Sequence, residues 1–580
     1  MSLTTKAMNS FLVAAALSMC ATAVNTAVDG IIVGRFVSPD ALSAVNLYSP
    51  YAQTLSVILL LLLYSASSQS AYFIGERNND KAGRFISTSL LSVLVAGGLL
   101  SAAAFFFTDS YVSLVCYDDD GAVAPYLHTY FRIVGSGTIL YMLAQFACEV
   151  VNIDGRPSLG TLAVVISVLG NIALDILLTA ILGLGVAGSA IATLAANAIT
   201  VVITGCGHIF TKACSFTIRI FRHFSLSALK SILKLGCNMS VTSVFSAAFF
   251  FVANFSVQKC CGADGLFALS IGMIVFNICV NLAMGVGRSV VSVGGFLKGQ
   301  RDWLGFRHVA LRSVKVTLMI GFAVSIAVMS GAGLLVWTFG ADTPGMAAYC
   351  TNALRIFIWT VPSSMLVTLM MFIYQAMMNL SLIPVPTIAF SVTGIAALLA
   401  WPYIMPQETL WYAFPLSSLL SIGIIYLVSE IVRDGNNTIY RFIHIPRHTN
   451  DEEVEQLQLS IPTNRSDMYV SLKSIRAFLG SRDISDGLVK KLVLCLEEIF
   501  LNINEHAGTQ GGQHFYDVII RMERDGILGV VKDDGRPFNP LAVEEGKRGL
   551  GLEILLGICR HVDYQHMYGQ NLLILQFPYE

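Results

Sequence analysis

Two groups of residues in this 580-residue chain have the types and spacing to do chemistry. The first is polar and lies near the C-terminus. Glu498-Ile-Phe-Leu-Asn502 places a carboxylate and a carboxamide four residues apart, on one face of an expected helix, with His506 one turn further on. Asp533-Asp-Gly535 follows an expected strand, and Gly549-Leu-Gly551 opens another helical run, with Lys547 and Arg548 just before it. A carboxylate, an amide and two glycine turns are the parts of a nucleotide site, because glycine lets backbone N–H groups at a helix start approach phosphate oxygens. The second group is acidic and sits in apolar sequence: Asp29, Glu149 and Asp175, with Asn171 one helical turn before Asp175. Ionisable groups inside a membrane span are costly and usually functional. Asp29 and Asp175 are expected to supply carboxylate oxygens to one cation site, and Asn171 and Thr193 neutral oxygens. Oxygen ligands suit Na⁺, and the same carboxylates could instead carry H⁺. Glu149 lies close to a loop and is expected to snorkel towards it.

These groups need two different scaffolds. The chain is 55% hydrophobic and 13% charged, with mean hydropathy +0.68, so most of it is expected to live in a lipid bilayer. Its 36 basic and 37 acidic residues cancel and single out no partner, and no nucleic acid is expected. The twelve cysteines lie mostly in apolar runs and suggest no disulfide framework. Lys6 precedes an apolar run that is expected to be a first span, not a cleaved signal peptide. Spans need about 20 apolar residues. Twelve are predicted, at 9–33, 44–72, 84–107, 128–151, 159–183, 186–207, 231–257, 265–290, 311–339, 351–377, 383–403 and 410–432.

Basic residues set the orientation. The loops after spans 2, 6 and 8 carry Arg77, Lys81 and Arg84, then Lys212, Arg219, Arg222 and Lys230, then Lys298, Arg301 and Arg307. The opposite loops hold little beyond Arg35 and Lys259, and include Asp118–Asp120. Both termini and the polar C-terminal region are therefore expected in the cytoplasm, where ATP is, with the spans in the plasma membrane.

The span region repeats itself. Asp40-Ala-Leu-Ser-Ala44 recurs as Asp264-Gly-Leu-Phe-Ala268, and Gly75-Glu-Arg77 as Gly299-Gln-Arg301, both 224 residues on. The loop at Gly155 maps to Asn379. Two six-helix lobes in the same orientation are expected, with substrate between them. At this offset Asp29, Asn171, Asp175 and Thr193 map to Ala253, Ile395, Leu399 and Ser417. The repeat is broken at the charges, which points to one cation site, in the first lobe.

After Arg433 the composition changes, and Asp434–Asn437 and Asp451–Glu455 have the character of a linker. The expected division is a first lobe over 1–222, a second over 223–435, a linker over 436–456 and a soluble domain over 457–580. The domain is expected to be an α/β sandwich with a mixed sheet. Its predicted strands are 457–462, 514–523, 527–533, 562–567 and 571–577, and its helices 466–480, 484–507 and 549–560.

Several segments resemble known families. Val28-Asp-Gly-Ile-Ile-Val-Gly34 followed by Asp40-Ala-Leu-Ser-Ala, Asn152-Ile-Asp-Gly-Arg-Pro157, Val168-Leu-Gly-Asn171-Ile-Ala-Leu-Asp175 and Gly183–Thr193 resemble multidrug and toxic compound extrusion (MATE) transporters. The resemblance implies alternating access between two six-helix lobes, and export of small organic, often cationic, compounds against entry of Na⁺ or H⁺. Asp29, Asn171, Asp175 and Thr193 match the family branch with a first-lobe site. The acids that the other branch uses in the seventh and tenth spans are lacking.

The C-terminal motifs, taken in order, resemble the histidine-kinase-like ATPase (GHKL) fold, closest to anti-sigma-factor serine kinases. The resemblance implies that ATP binds with Mg²⁺ on Asn502, and that Glu498 is the catalytic base for transfer to a serine hydroxyl. It also implies that Asp533 and Gly535 meet adenine, and that His506, Lys547, Arg548, Gly549 and Gly551 belong to the nucleotide site. Pro537 departs from the family pattern, where many members have a second glycine. Two roles follow for the domain: it regulates transport, or it phosphorylates a partner. The alternative for the whole chain is a membrane-tethered serine/threonine kinase with the spans as sensor and an anti-sigma-antagonist-like protein as partner.

Overall fold

Capping residues set the starts of the membrane helices. Ser38 Oγ accepts from Ala41 N–H at 3.0 Å with Pro39 in the first turn, and Thr343 Oγ1 accepts from Met346 N–H at 3.3 Å ahead of Pro344. The computed structural model describes residues 3–116, 123–210, 223–339, 343–432, 438–440, 445–446, 455–482, 484–507, 515–523, 526–537, 539, 541, 550–567 and 569–579. The helices of the membrane part are α1 (Leu3–Phe36), α2 (Asp40–Gly75), α3 (Asn79–Phe106), α4 (Ala124–Ser136 and Thr138–Ile153), α5 (Pro157–Ile181) and α6 (Val186–Gly207). The second set is α7 (Leu226–Gly262), α8 (Asp264–Gly299), α9 (Trp303–Thr338), α10 (Pro344–Ala376), α11 (Val385–Ile404) and α12 (Gln407–Ile431). Among the described residues, ten helices are long and apolar enough to cross a membrane, or eleven if the bent pair of α4 is one span. In α1 the apolar stretch is the shorter Phe11–Thr22. Leu99, Phe106, Phe251, Trp337 and Ile404 are exposed on the helices, as lipid-facing side chains are.

The repeat is legible in the backbone. Arg77 (φ 62°), Gly155 (φ 80°), Arg301 (φ 56°) and Met378 (φ 51°) all adopt the left-handed conformation just past a helix end. At each, that residue's N–H bonds three residues back and the next N–H bonds five back, as in Asn78 to Phe73 at 2.8 Å and Asp302 to Leu297 at 2.9 Å. These are four Schellman ends. Arg77 and Arg301 keep the 224 offset. Gly155 pairs in conformation with Met378, one residue before the Asn379 expected from sequence.

The lobes meet where α2 crosses α8. A Cβ on Gly75 would lie 2.1 Å from Phe296 O and 2.9 Å from Gly299 Cα; one on Gly299 would lie 2.1 Å from Tyr72 O. Only glycine permits this approach, and the two are repeat counterparts.

The C-terminal chain adds a short ladder of β1 (Thr438–Tyr440) and β2 (Ile445–Pro446), then β3 (Gln456–Pro462), α13 (Arg465–Gly480), α14 (Asp486–Ala507), β4 (Phe515–Glu523), β5 (Gly526–Asp533), α15 (Leu550–Ile558), β6 (His561–Met567) and β7 (Gln570–Phe577). The sheet order is β3-β4-β5-β7-β6. Every neighbour pairing in it is antiparallel, so the expectation of a mixed sheet is corrected. The reason is the helix count. A single crossover helix would return the chain parallel. Two helices between β3 and β4 bring it back at the end where β3 finished. One sheet face packs on the helices through Val518, Ile520, Val531 and Leu575 against Leu496, Phe500 and Leu555.

Gly75→Ala and Gly299→Ala are each expected to destabilise the chain by about 1–3 kcal/mol through overpacking. Gly331→Ala, where a Cβ would meet nothing within 4 Å, is the control expected to leave stability unchanged. Thermal unfolding of the full chain in detergent checks this.

Candidate functional site

The first-lobe acids converge. Asp29 comes from α1, Asn171 and Asp175 from α5, and Thr193 from α6. Asp175 is fully buried at the point where α5 passes into a π-helical turn, Ile176–Ile181, a distortion frequent at functional positions. Thr179 Oγ1 donates to Asp175 Oδ1 at 3.0 Å. Asp29 and Asp175 lie within hydrogen-bonding reach of one another. Two carboxylates this close in a water-poor interior need a proton or a cation between them. Asp175 Oδ2 is buried without a hydrogen-bond donor, as is Asn25 Oδ1, so acceptor oxygens are available for either.

Asn171 fixes the geometry. The hydrogen-bond network orients its amide so that the NH₂ donates to Asp29 Oδ1 at 2.9 Å and the oxygen accepts from Thr193 N–H at 3.2 Å. In that orientation Asn171 and Thr193 brace the carboxylates. To ligate Na⁺, the amide would have to turn its oxygen towards Asp29. Sequence reasoning missed three neighbours. Asn25 Nδ2 donates to Asp29 Oδ2 at 2.8 Å, Ser189 lies beside Asp175, and Tyr130 lies beside Thr193 and faces both acids. The i, i+4 spacing of Asn25 and Asp29 was the available signal; nothing local marked Ser189 or Tyr130.

The second lobe fills the equivalent region with rings. Ala253, counterpart of Asp29, is buried in one cluster with Phe249, Phe276 and Phe357. Leu399, counterpart of Asp175, is 47% exposed.

Glu149 does not snorkel, which corrects the sequence expectation. It is 5% exposed, and Ser67 Oγ donates to its Oε1 at 2.5 Å. It faces the interior because a cation is there: Arg288, over the Tyr64 ring at 4.4 Å, lies beside it.

In the C-terminal domain the motifs collect at one end of the sheet. The ends of α14, β5 and β6 and the starts of α15 and β7 share that end, by strand direction. Tyr516 pairs with Asp533 in register and its ring contacts Phe500 at 4.9 Å, which brings the last turns of α14 to Asp533. Glu498 is half-buried and Asn502 exposed on α14. His506 lies in the last turn of α14, and Gly551 in the first turn of α15. Lys547, Arg548 and Gly549 lie outside the described residues.

Asp533 is held by a residue that sequence reasoning missed. Asn571 Nδ2 and Gly535 N–H each donate to Asp533 Oδ1 at 2.8 Å, and Tyr564 Oη donates to Asn571 Oδ1 at 2.7 Å. Burial pushes the Asp533 carboxyl above its ordinary range, against these two donors. No group of three or more His, Cys, Asp and Glu side chains that could hold a metal occurs among the described residues. A Mg²⁺ on Asn502 would therefore come with phosphate oxygens and water, as Mg²⁺ at nucleotide sites does.

Two inward-facing carboxylates in a two-lobed helical membrane protein define a transporter-like architecture, here joined to an ATPase-like domain. The family model described as MatE matches residues 14–177 and 239–401, more than half of the chain, and the chain belongs to that family. The model of the histidine kinase-like ATPase domain matches residues 461–577. Among solved structures the chain is similar to a MOP superfamily transporter from Pyrococcus furiosus, described as having a binding pocket of reverse polarity that suggests a different function (20% identity, 72% of this chain and 93% of that chain, TM-score 0.66). It is also similar to a multidrug resistance MATE family transporter in an outward-facing conformation, with the same identity, coverage and TM-score. A third is MATE in its straight conformation, at 21% identity, over 72% of this chain and 93% of that chain, with TM-score 0.66. At these identities the likeness shows the fold. No curated protein matches.

If Asp533 receives the adenine amino group, as the family resemblance implies, only its ionised form acts purely as acceptor, and burial raises its pKa. ATP affinity is therefore expected to fall as pH drops, starting above the ordinary aspartate value of about 3.9. Asn571→Ala should remove about 1–3 kcal/mol of support from Asp533 and weaken ATP binding roughly tenfold or more. Titrating a fluorescent ATP analogue against the full chain at several pH values checks both.

Proposed function

We propose that the chain is a cation-coupled exporter of small organic, often cationic, compounds, regulated by an ATP-binding domain on the same polypeptide. The carrying observation is the meeting of Asp29 and Asp175 within the first lobe, with an unpartnered buried oxygen on Asp175. Binding of Na⁺ or H⁺ relieves the repulsion between the two carboxylates and draws α1 towards α5. Loss of the cation restores the repulsion. Alternating access would follow from that change in one lobe. The loop charges favour the plasma membrane, with both termini and the C-terminal domain in the cytoplasm. There the domain would bind ATP with Mg²⁺ on Asn502. Lys547, Arg548, Gly549 and Gly551 would serve the phosphates, His506 would complete the site, and Asp533 and Gly535 would receive adenine.

The intact Glu498, one turn before Asn502 and half-buried rather than sealed in the core, supports a second reading. It would act as the base that accepts a serine hydroxyl proton during phosphoryl transfer to an anti-sigma-antagonist-like partner. The C-terminal domain is bonded to the membrane part, with Lys532 Nζ donating to Asp302 Oδ2 at 2.5 Å, and this favours regulation within the chain.

Asp29→Asn is expected to abolish gradient-driven export in vesicles while the protein stays folded. Undiminished export would refute the coupling site. Glu498→Ala should leave export intact and remove phosphoserine from a co-expressed partner under the second reading; absence of phosphoserine with the native chain would dismiss it.

A further inference from the structure

Among the described residues, the domain's own helices cover one face of its sheet. Strand alternation sends Gln456, Gln458, Asp517, Arg521 and Lys532 to the other face. That face meets the α8–α9 turn. Lys532 Nζ donates to Asp302 Oδ2 at 2.5 Å, and both side chains are 1% exposed. Gln458 Nε2 donates to Asp302 Oδ1 at 2.5 Å. Arg521 Nη2 donates to Gln300 O at 2.6 Å, and Gln456 Nε2 to Arg301 O at 3.4 Å. The same face reaches the equivalent turn of the first lobe, where Arg77 lies near Glu523 and Asp563. Met567 and Leu572 are buried in the apolar cluster of the membrane part.

Asp302 is the repeat counterpart of Asn78, and both cap the following helix. Asn78 Oδ1 accepts from Lys81 N–H at 3.1 Å, and Asp302 Oδ1 from Gly305 N–H at 2.8 Å. Asparagine and aspartate cap equally well, so capping does not require the charge at 302. What the charge serves is Lys532. Burial draws the Asp302 carboxyl upward, but Lys532, Gln458 and Gly305 N–H hold it below the usual carboxylate range. Removing one partner of a buried, hydrogen-bonded ion pair leaves the other uncompensated.

We propose that the open sheet face of the C-terminal domain is a latch. Docked through Asp302 and Lys532, it bridges the α2–α3 and α8–α9 turns and holds the lobes together at the Gly75–Gly299 crossing. This rests on the alternating-access reading. When that end of the transporter opens, the two turns part, and one rigid sheet cannot stay on both. Lys532 and Asp533 are consecutive in β5, one on the latch face and one in the candidate nucleotide site, so a single strand joins the two.

The test is backbone hydrogen–deuterium exchange on the full chain in nanodiscs. Asp302→Asn restores the residue that the first lobe carries at this position, so the helix cap is kept. It is expected to speed exchange at least tenfold in peptides covering 68–78 and 292–302, with α11 unchanged. Lys532→Met should do the same from the other side, and the double variant should add less than twofold to either. Exchange in 68–78 and 292–302 within twofold of the native chain in both single variants would overturn the latch. So would release of the sheet face without faster exchange in those two segments. The readout needs no transport, so a failed export assay would count against the coupling site and leave this result standing.

Discussion

The membrane part depends on the cost of holding carboxylates away from water. The idealised cost of moving one such ion into a low-dielectric interior is on the order of 20 kcal/mol. Asp29 and Asp175 reduce that cost with donors drawn from four helices. Asn25 and Asn171 donate to Asp29, Thr179 and Ser189 serve Asp175, and Tyr130 and Thr193 close the outer layer. The network leaves Asp175 Oδ2 without a donor, and the proposed ion-driven change of state rests on that deficit. In the second lobe Phe249, Phe276 and Phe357 close the same region, and Ala253 stands where the first lobe has Asp29.

The two lobes are equal where geometry governs and unequal where charge does. Both turn out of a span through a left-handed arginine, Arg77 or Arg301, and both present a glycine to the central crossing. Among the counterparts that differ are Asp29 and Ala253, Asp175 and Leu399, Asn78 and Asp302, and Tyr64 and Arg288. Each unequal position has a job in the structure. Asp29 belongs to the acid pair, Asp302 meets Lys532 of the soluble domain, and Arg288 stacks on its own counterpart Tyr64 beside Glu149.

Much of this was legible in the sequence. Each of the twelve expected spans overlaps an observed helix, and the strands of the soluble domain begin and end within a residue or two of expectation. Apolar length and period 2 carry that information locally. The gathering of Asp29, Asn171, Asp175 and Thr193 was also accessible, through ionisable residues in apolar runs. What escaped depends on partners distant in sequence. Asn571 reaches Asp533 only because β7 pairs with β5. The inward turn of Glu149 depends on Ser67 and on Arg288 of the other lobe. Lys532 had the look of an ordinary strand residue, and its partner Asp302 lies 230 residues away.

The number of coupling cations bound per chain tests the account most directly. Equilibrium binding of Na⁺, and proton uptake in its absence, can be measured on the purified full chain in detergent. One cation of a single kind per chain is expected at saturation, lost when Asp29 and Asp175 are both replaced by asparagine. An unchanged stoichiometry in that double variant would contradict it.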